Sequence, residues 1–240
     1  MVEDATIDGM TVSETNLVVT FDLFSALTDS RTGAAALLGR LAAERGWEQD
    51  GTALYDRWDR HNKALQRTAR PPTTFHDVSR EALARAYDEL GHPLGLVDDD
   101  LALLEESVAD WPLWPDAEAA LQAVATLAEV GILSNVDDAL VRRSRAYQLV
   151  DPERVLTSQR LGAYKPAPEI YRSAVTAVAP ARLVHVAASA RDVRGALEAG
   201  IATVRLARPG HLLDPDGPTP TVEVGHGGDL RRVVADLSEG

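Results

Sequence analysis

Six polar side chains in this sequence stand past short apolar runs, and as a set they could build a nucleophilic carboxylate site. Asp22 follows Leu17-Val-Val-Thr-Phe21, and Ser134 with Asn135 closes Gly131-Ile-Leu-Ser134. Lys165 stands in AYKPAPEIY, and Ser189 and Asp192 stand in VAASARD, directly after Leu183-Val-His-Val-Ala187. Singly, each has a plain explanation: an aspartate caps a turn, a lysine faces water, and an acid in a first helical turn complements the helix dipole. The chemistry comes from the combination. A carboxylate can displace a stable anion from carbon without a proton donor, and a lysine beside it favours its charged form.

The elements that would hold these residues follow from the patterning. Apolar β-branched runs at 17–21, 131–134, 154–157, 183–187, 201–206 and 222–224 predict strands. From residue 116 on they alternate with helical stretches at 116–129, 138–147, 168–178, 192–199 and 229–238. That alternation predicts parallel βαβ units. The stretch 30–110 differs, with helical patterns at 33–46, 51–67, 77–90 and 98–109, a break at Pro71-Pro72 and no strand. The expected organisation is therefore a tail over 1–15, an α/β core made of 16–32 and 111–240, and an inserted all-helical cap over 33–110. Trp111-Pro-Leu-Trp-Pro115 reads as the return linker. In a parallel sheet all carboxyl ends share one edge, so Asp22, Ser134, Asn135, Lys165, Ser189 and Asp192 converge there, under the insert.

Composition removes other classes. Lys and Arg total 24 against 37 Asp and Glu, a formal charge of −13, which argues against nucleic acid as a partner. No cysteine is present, so thiolate chemistry and disulfides are excluded. No apolar run approaches the ~20 residues of a membrane span. The acidic start MVEDATIDGMTVSETN is unlike a signal peptide and suggests a cytoplasmic protein. The histidines lack a metal-ligand spacing, and no dinucleotide or P-loop motif occurs, so neither metal nor cofactor is expected. His185, inside a strand, reads as a satisfied core histidine, and Asp98-Asp-Asp100 as a solvated helix start. Trp58, Trp111 and Trp114 are expected to pack at the cap and hinge. The expected partner is a small anionic organic acid, and a homodimer is compatible with the sequence.

The four segments resemble the motifs of the haloacid dehalogenase-like hydrolase superfamily, across nearly the whole chain from about 17 to 238. FDLF with LTD (21–24 and 27–29), LSN (133–135), YKPAPEIY (164–171) and VAASARDVRGALEAG (186–200) carry the likeness. Within that superfamily the chain is similar to the 2-haloacid dehalogenases, whose cap the insert resembles. The resemblance implies a Rossmann-like parallel-sheet core with a helical cap, and a metal-independent hydrolase. It casts Asp22 as the nucleophile attacking a small 2-substituted organic acid to give an ester. Lys165 would hold Asp22 ionised, Asp192 would pair with Lys165, and Ser189 would belong to the catalytic group. Ser134 and Asn135 would bind the substrate carboxylate, while Tyr171, Phe24 and Ser25 would line the site. A cap arginine, Arg57 in preference to Arg60, would take the leaving halide. The superfamily's magnesium-dependent phosphatases resemble one another in a second aspartate two residues after the nucleophile, where this chain has Phe24.

The chain also departs from the dehalogenase pattern. It carries Ser25-Ala26 where those enzymes show Gly-Thr, and Ala187 and Ser189 where they show a serine and an asparagine that position the hydrolytic water. A second expectation therefore stands beside the first: non-hydrolytic chemistry on a small organic acid, or a binding role without catalysis. Ser25 or Ser189 within hydrogen-bond reach of Asp22 favours hydrolysis. A pocket filled by Phe24 and alanines favours the alternative.

Overall fold

The computed structural model describes residues 16–238; the expected tail over 1–15 lies outside them. The apolar runs become six parallel strands: β1 (Leu17–Phe21), β2 (Glu129–Ser134), β3 (Val155–Thr157), β4 (Arg182–Ala187), β5 (Ala202–Leu206) and β6 (Val222–Val224). Their order is β3-β2-β1-β4-β5-β6. All five β1 residues are buried, as expected for a strand covered on both faces. Phe21 lies in register with Ile132 of β2 and Val186 of β4, so the residues that follow these strands emerge side by side. The chain winds outward in opposite directions from β1, and the crevice above that reversal is where ligands of such sheets bind.

Four helices make up the insert that follows β1: α1 (Ser30–Arg45), α2 (Gly51–Gln66), α3 (Phe75–Leu90) and α4 (Val97–Ser107). They form a helical cap, and their start signals are local. Asp29 and Asp50 accept the Thr32 and Ala53 amides, and Thr74 with Asp77 makes a capping box. The first of these helices therefore begins at Ser30, ahead of the helical pattern read at 33–46. Gly33, inside α1, has no side chain where a Cβ would run into the Trp111 ring. Trp111 opens the return strap, in which Leu113 bridges Thr28 and the Trp114 amide donates to the Leu27 carbonyl. The two crossings between cap and core are thus zipped together. Asp98 pairs with Arg80 at the surface, but Asp100 is fully buried between Arg45 and the Tyr87 hydroxyl, which corrects the reading of that acidic run as solvated.

The remaining helices are α5 (Ala117–Val124), α6 (Asp138–Val141), α7 (Ser158–Leu161), α8 (Pro168–Val178), α9 (Ala190–Glu198) and α10 (Leu230–Ser238). Two are shorter than the sequence pattern predicts. α5 stops at Val124 because Glu129 and Val130 are drawn into pairing with Val18 and Val19. α6 is one turn, because the Ser144 hydroxyl bonds back to the Val141 carbonyl and accepts the Tyr147 amide, diverting 145–149 into a 3-10 segment. One apolar cluster runs from Val19 and Phe21 through Leu23 and Leu27 into Leu38, Leu54 and Leu83 of the cap. Cap and sheet therefore share a core.

Candidate active site

Asp22 occupies the end of the central strand, its amide donating to the Val186 carbonyl at 3.0 Å. The chain then makes one π-helical turn, Leu23–Leu27, which Asp22 caps. Its Oδ2 accepts the Ser25 amide at 3.0 Å and the Ser25 hydroxyl at 2.5 Å. Its Oδ1 accepts Lys165 Nζ at 2.7 Å and the Ser134 hydroxyl at 3.2 Å. The Lys165 ammonium also donates to Asp192 Oδ2 at 2.5 Å and to the Leu133 carbonyl at 2.8 Å, which uses all of its N–H groups. Asp192 in turn accepts the Tyr171 hydroxyl at 2.8 Å, and its Oδ2 lies 3.2 Å from His185 Nε2.

Burial would push Asp22 upward in pKa; the Lys165 ammonium and the hydrogen bonds from Lys165 and Ser25 outweigh that, and Asp22 sits below the usual carboxylate range despite Asp192 nearby. Burial likewise works against Asp192, and Lys165 and His185 hold it well below that range. Lys165 resists its own burial because two carboxylates surround it, and its pKa lies above the ordinary lysine value. At neutral pH the centre is an ionised Asp–Lys–Asp triplet with an excess negative charge.

Asp22, Lys165, Asp192, Ser134, Ser25, Phe24, Asn135 and Ser189 all line one cleft of about 100 Å³ beneath the cap. That is far below the ~300–1,000 Å³ of sites for drug-sized ligands. Phe24, Trp58, Phe75 and Trp111 give it an aromatic wall, so Trp58 lines the site as well as packing the cap. A wider cavity of about 570 Å³ adjoins it, sharing Phe24, Tyr55, Lys63 and His211, and provides an approach.

Several expected roles are corrected. Arg57 does not line the cleft: it lies 3.5 Å from Glu89 with 38% of its side chain exposed, and Arg60 joins the same carboxylate. Those arginines occupy the solvent-facing side of α2. Asn135 has no free amide for a substrate. Its Oδ1 accepts the Lys165 amide at 2.7 Å, and its Nδ2 donates to the Lys165 carbonyl and to Gln66 Oε1. It clamps the lysine's backbone. Tyr171 is fully buried behind Asp192 and does not line the cleft. It is seated there by Gly195, where a Cβ would meet the Tyr171 hydroxyl at 2.8 Å. The Ser134 hydroxyl is turned to Asp22. His185 is satisfied in the core, as expected, by Thr20, and it also reaches Asp192. Ser25 does reach Asp22, whereas Ser189 lines the cleft without a side-chain bond to it, and Ala187 and Ala188 are fully buried.

The sequence reading missed Gln66, Asn62 and Arg191. Trp58, Asn62 and Gln66 repeat every fourth residue on α2, so they share one helical face; that spacing is the signal that could have found them. Arg191 precedes Asp192 in the first turn of α9. Its guanidinium donates to Gln66 Oε1 at 2.5 Å and to the Lys63 carbonyl at 3.1 Å, tying core to cap.

A magnesium ion of the phosphatase kind does not fit these residues. The Lys165 ammonium fills the space between the two carboxylates, and Phe24 stands where a further acid would be needed. Among the described residues no group of three or more His, Asp or Glu could hold a metal. Also among the described residues, no helix is long and apolar enough to cross a membrane.

A six-stranded parallel sheet with a helical insert after its first strand, and an Asp–Lys–Asp centre under that insert, define a class, and residues 17–200 match the family model for haloacid dehalogenase-like hydrolases. The chain belongs to that family and is a hydrolase of its kind. It is similar to the solved structure of a defluorinating L-2-haloacid dehalogenase, at 26% identity and a TM-score of 0.76, over 91% of this chain and 94% of that one. The L-2-haloacid dehalogenase of Xanthobacter autotrophicus with chloropropionic acid covalently bound shares the fold, at 22% identity and a TM-score of 0.76, over 92% of this chain and 99% of that one. No curated protein matches the sequence.

Proposed function

We propose that the protein is a metal-independent hydrolase of small 2-halo acids, with 33–110 as cap over a core of 16–32 and 111–240, and Asp22 as its nucleophile. The observation that carries this reading is the Lys165 ammonium bonded to both Asp22 Oδ1 and Asp192 Oδ2, which keeps Asp22 ionised and aimed into the cleft. An Asp22 oxygen attacks C2, the carbon–halogen bond breaks, and the halide leaves with its electron pair. The ester so formed is opened by water at the Asp22 carboxyl carbon. The turnover yields a 2-hydroxy acid, halide and one proton, and restores Asp22. Ser25 supplies the hydroxyl contact to the nucleophile that the dehalogenase pattern assigns to a threonine.

The test is halide release from a panel of 2-chloro and 2-bromo acids. Wild type is expected to release halide, and D22N to fall to the uncatalysed background. Equal release by both proteins removes Asp22 from the chemistry. A second reading, non-hydrolytic chemistry on a small acid, draws its support from Ala187 and Ala188, which offer no hydroxyl to hold a water. It would be favoured if halide appears once per protein molecule and turnover then stops.

A further inference from the structure

The cations that line the cleft are not equally available. Lys165 has spent every N–H on Asp22, Asp192 and the Leu133 carbonyl. Lys63 lies 2.5 Å from Asp59 on its own helix. Burial pulls His211 below the ordinary histidine value, so it is neutral at neutral pH. Arg191 differs from all three. It lines the same cleft, is partly buried, and among the described residues has no carboxylate within ion-pair distance. Among the described residues its two hydrogen bonds go to neutral oxygens, the Lys63 carbonyl and the Gln66 amide, and its Nε–H makes none.

Asp59, Asp192 and Asp22 are near enough to favour the Arg191 charge, but burial outweighs them; a buried cation with no carboxylate bonded to it is costly, and an anion brought to it is stabilised. A 2-halo acid needs such a partner. Its own carboxylate must approach an ionised Asp22 in a poorly screened cleft, and the triplet there already carries an excess negative charge. The planar guanidinium suits a carboxylate's two oxygens, which a point-charge ammonium does not. We propose that Arg191 anchors the substrate carboxylate from the core side of the cleft, a role that rests on the reading of the site given above. The substrate then lies between Arg191 and Asp22, in a cleft that Phe24, Trp58 and Trp111 also line. Selection for the acid over its neutral amide resides in α9, not in the cap arginines.

The experiment measures binding, so that it stands apart from turnover. Isobutyrate keeps the shape of a 2-halo acid but has no leaving group, and isobutyramide is its neutral counterpart. Calorimetry or ligand-observed NMR should find isobutyrate bound by wild type in preference to isobutyramide. R191M should bind isobutyrate about 10- to 100-fold more weakly, with isobutyramide unchanged, and R191K should fall between. If R191M binds isobutyrate as wild type does, or loses both ligands equally, or wild type binds neither, the anchor is refuted. Arg191-dependent isobutyrate binding without any halide release would sustain the anchor and defeat the dehalogenase reading. Halide release with a KM untouched by R191M would do the reverse.

Discussion

K165M should abolish ester formation and lower stability by about 3–5 kcal/mol, the cost of leaving a buried charge without its partner. Lys165 is 3% exposed and holds Asp22 and Asp192, both at least nine-tenths buried, on either side of one ammonium. Without it, two carboxylates face each other in a site that excludes water, and at least one takes up a proton. The pH dependence then reverses sign. In wild type, Asp22 and Asp192 lie below their unfolded value of about 3.9. They contribute stability that is present above that pH and is lost as pH falls through their folded values. In K165M, burial raises both above the unfolded value, so their contribution is favourable below about pH 4 and is lost as pH rises. Urea unfolding between about pH 4 and 8 should find wild type level or rising and K165M falling. A K165M protein whose stability follows wild type across that range would mean the triplet is not ionised.

D192N should lower the first halide burst by about 10²-fold, with a stability loss of about 1–3 kcal/mol. Asp192 accepts from Lys165 and Tyr171, and His185 reaches it as well. An amide at this position keeps one acceptor oxygen but turns an NH₂ group towards an ammonium or a phenol. Lys165 then has Asp22 as its remaining carboxylate and settles on it, which both shifts the nucleophile and binds its lone pairs more tightly. Y171F is the matched control, since it removes one hydrogen bond to Asp192 and leaves the charges in place. Rapid-quench halide release should rank wild type, Y171F and D192N in that order. Equal bursts from Y171F and D192N would assign the effect to geometry alone.

The sheet and its edge were legible because period and burial are local. A buried strand must be apolar, and the residue after it must leave the sheet, so Asp22, Ser134 and Asp192 could be brought together from strand ends, with Lys165 following β3 after the short helix α7. Side-chain direction beyond those ends was not legible. Asn135 reads as a ligand-binding amide until the Lys165 backbone is seen to consume both its ends. Tyr171 is drawn beneath Asp192 by the close approach of Gly195, a contact between helices that no spacing encodes. Arg57 and Arg191 show the same limit. A cap helix presents one face to the cleft, and Trp58, Asn62 and Gln66 claim that face on α2, which turns Arg57 out to Glu89. Arg191 reaches the cleft because α9 starts two residues earlier than the sequence pattern predicts, with Ser189 at its N-cap.

A covalent ester on Asp22 is the intermediate that this chemistry requires, and mass measurement after rapid acid quench detects it. Wild type mixed with excess 2-chloropropionate should gain the mass of the acid less its halide, on the peptide that contains Asp22, and D22N should gain none. Halide release without that adduct, or an adduct mapped to another residue, would mean that Asp22 is not the nucleophile.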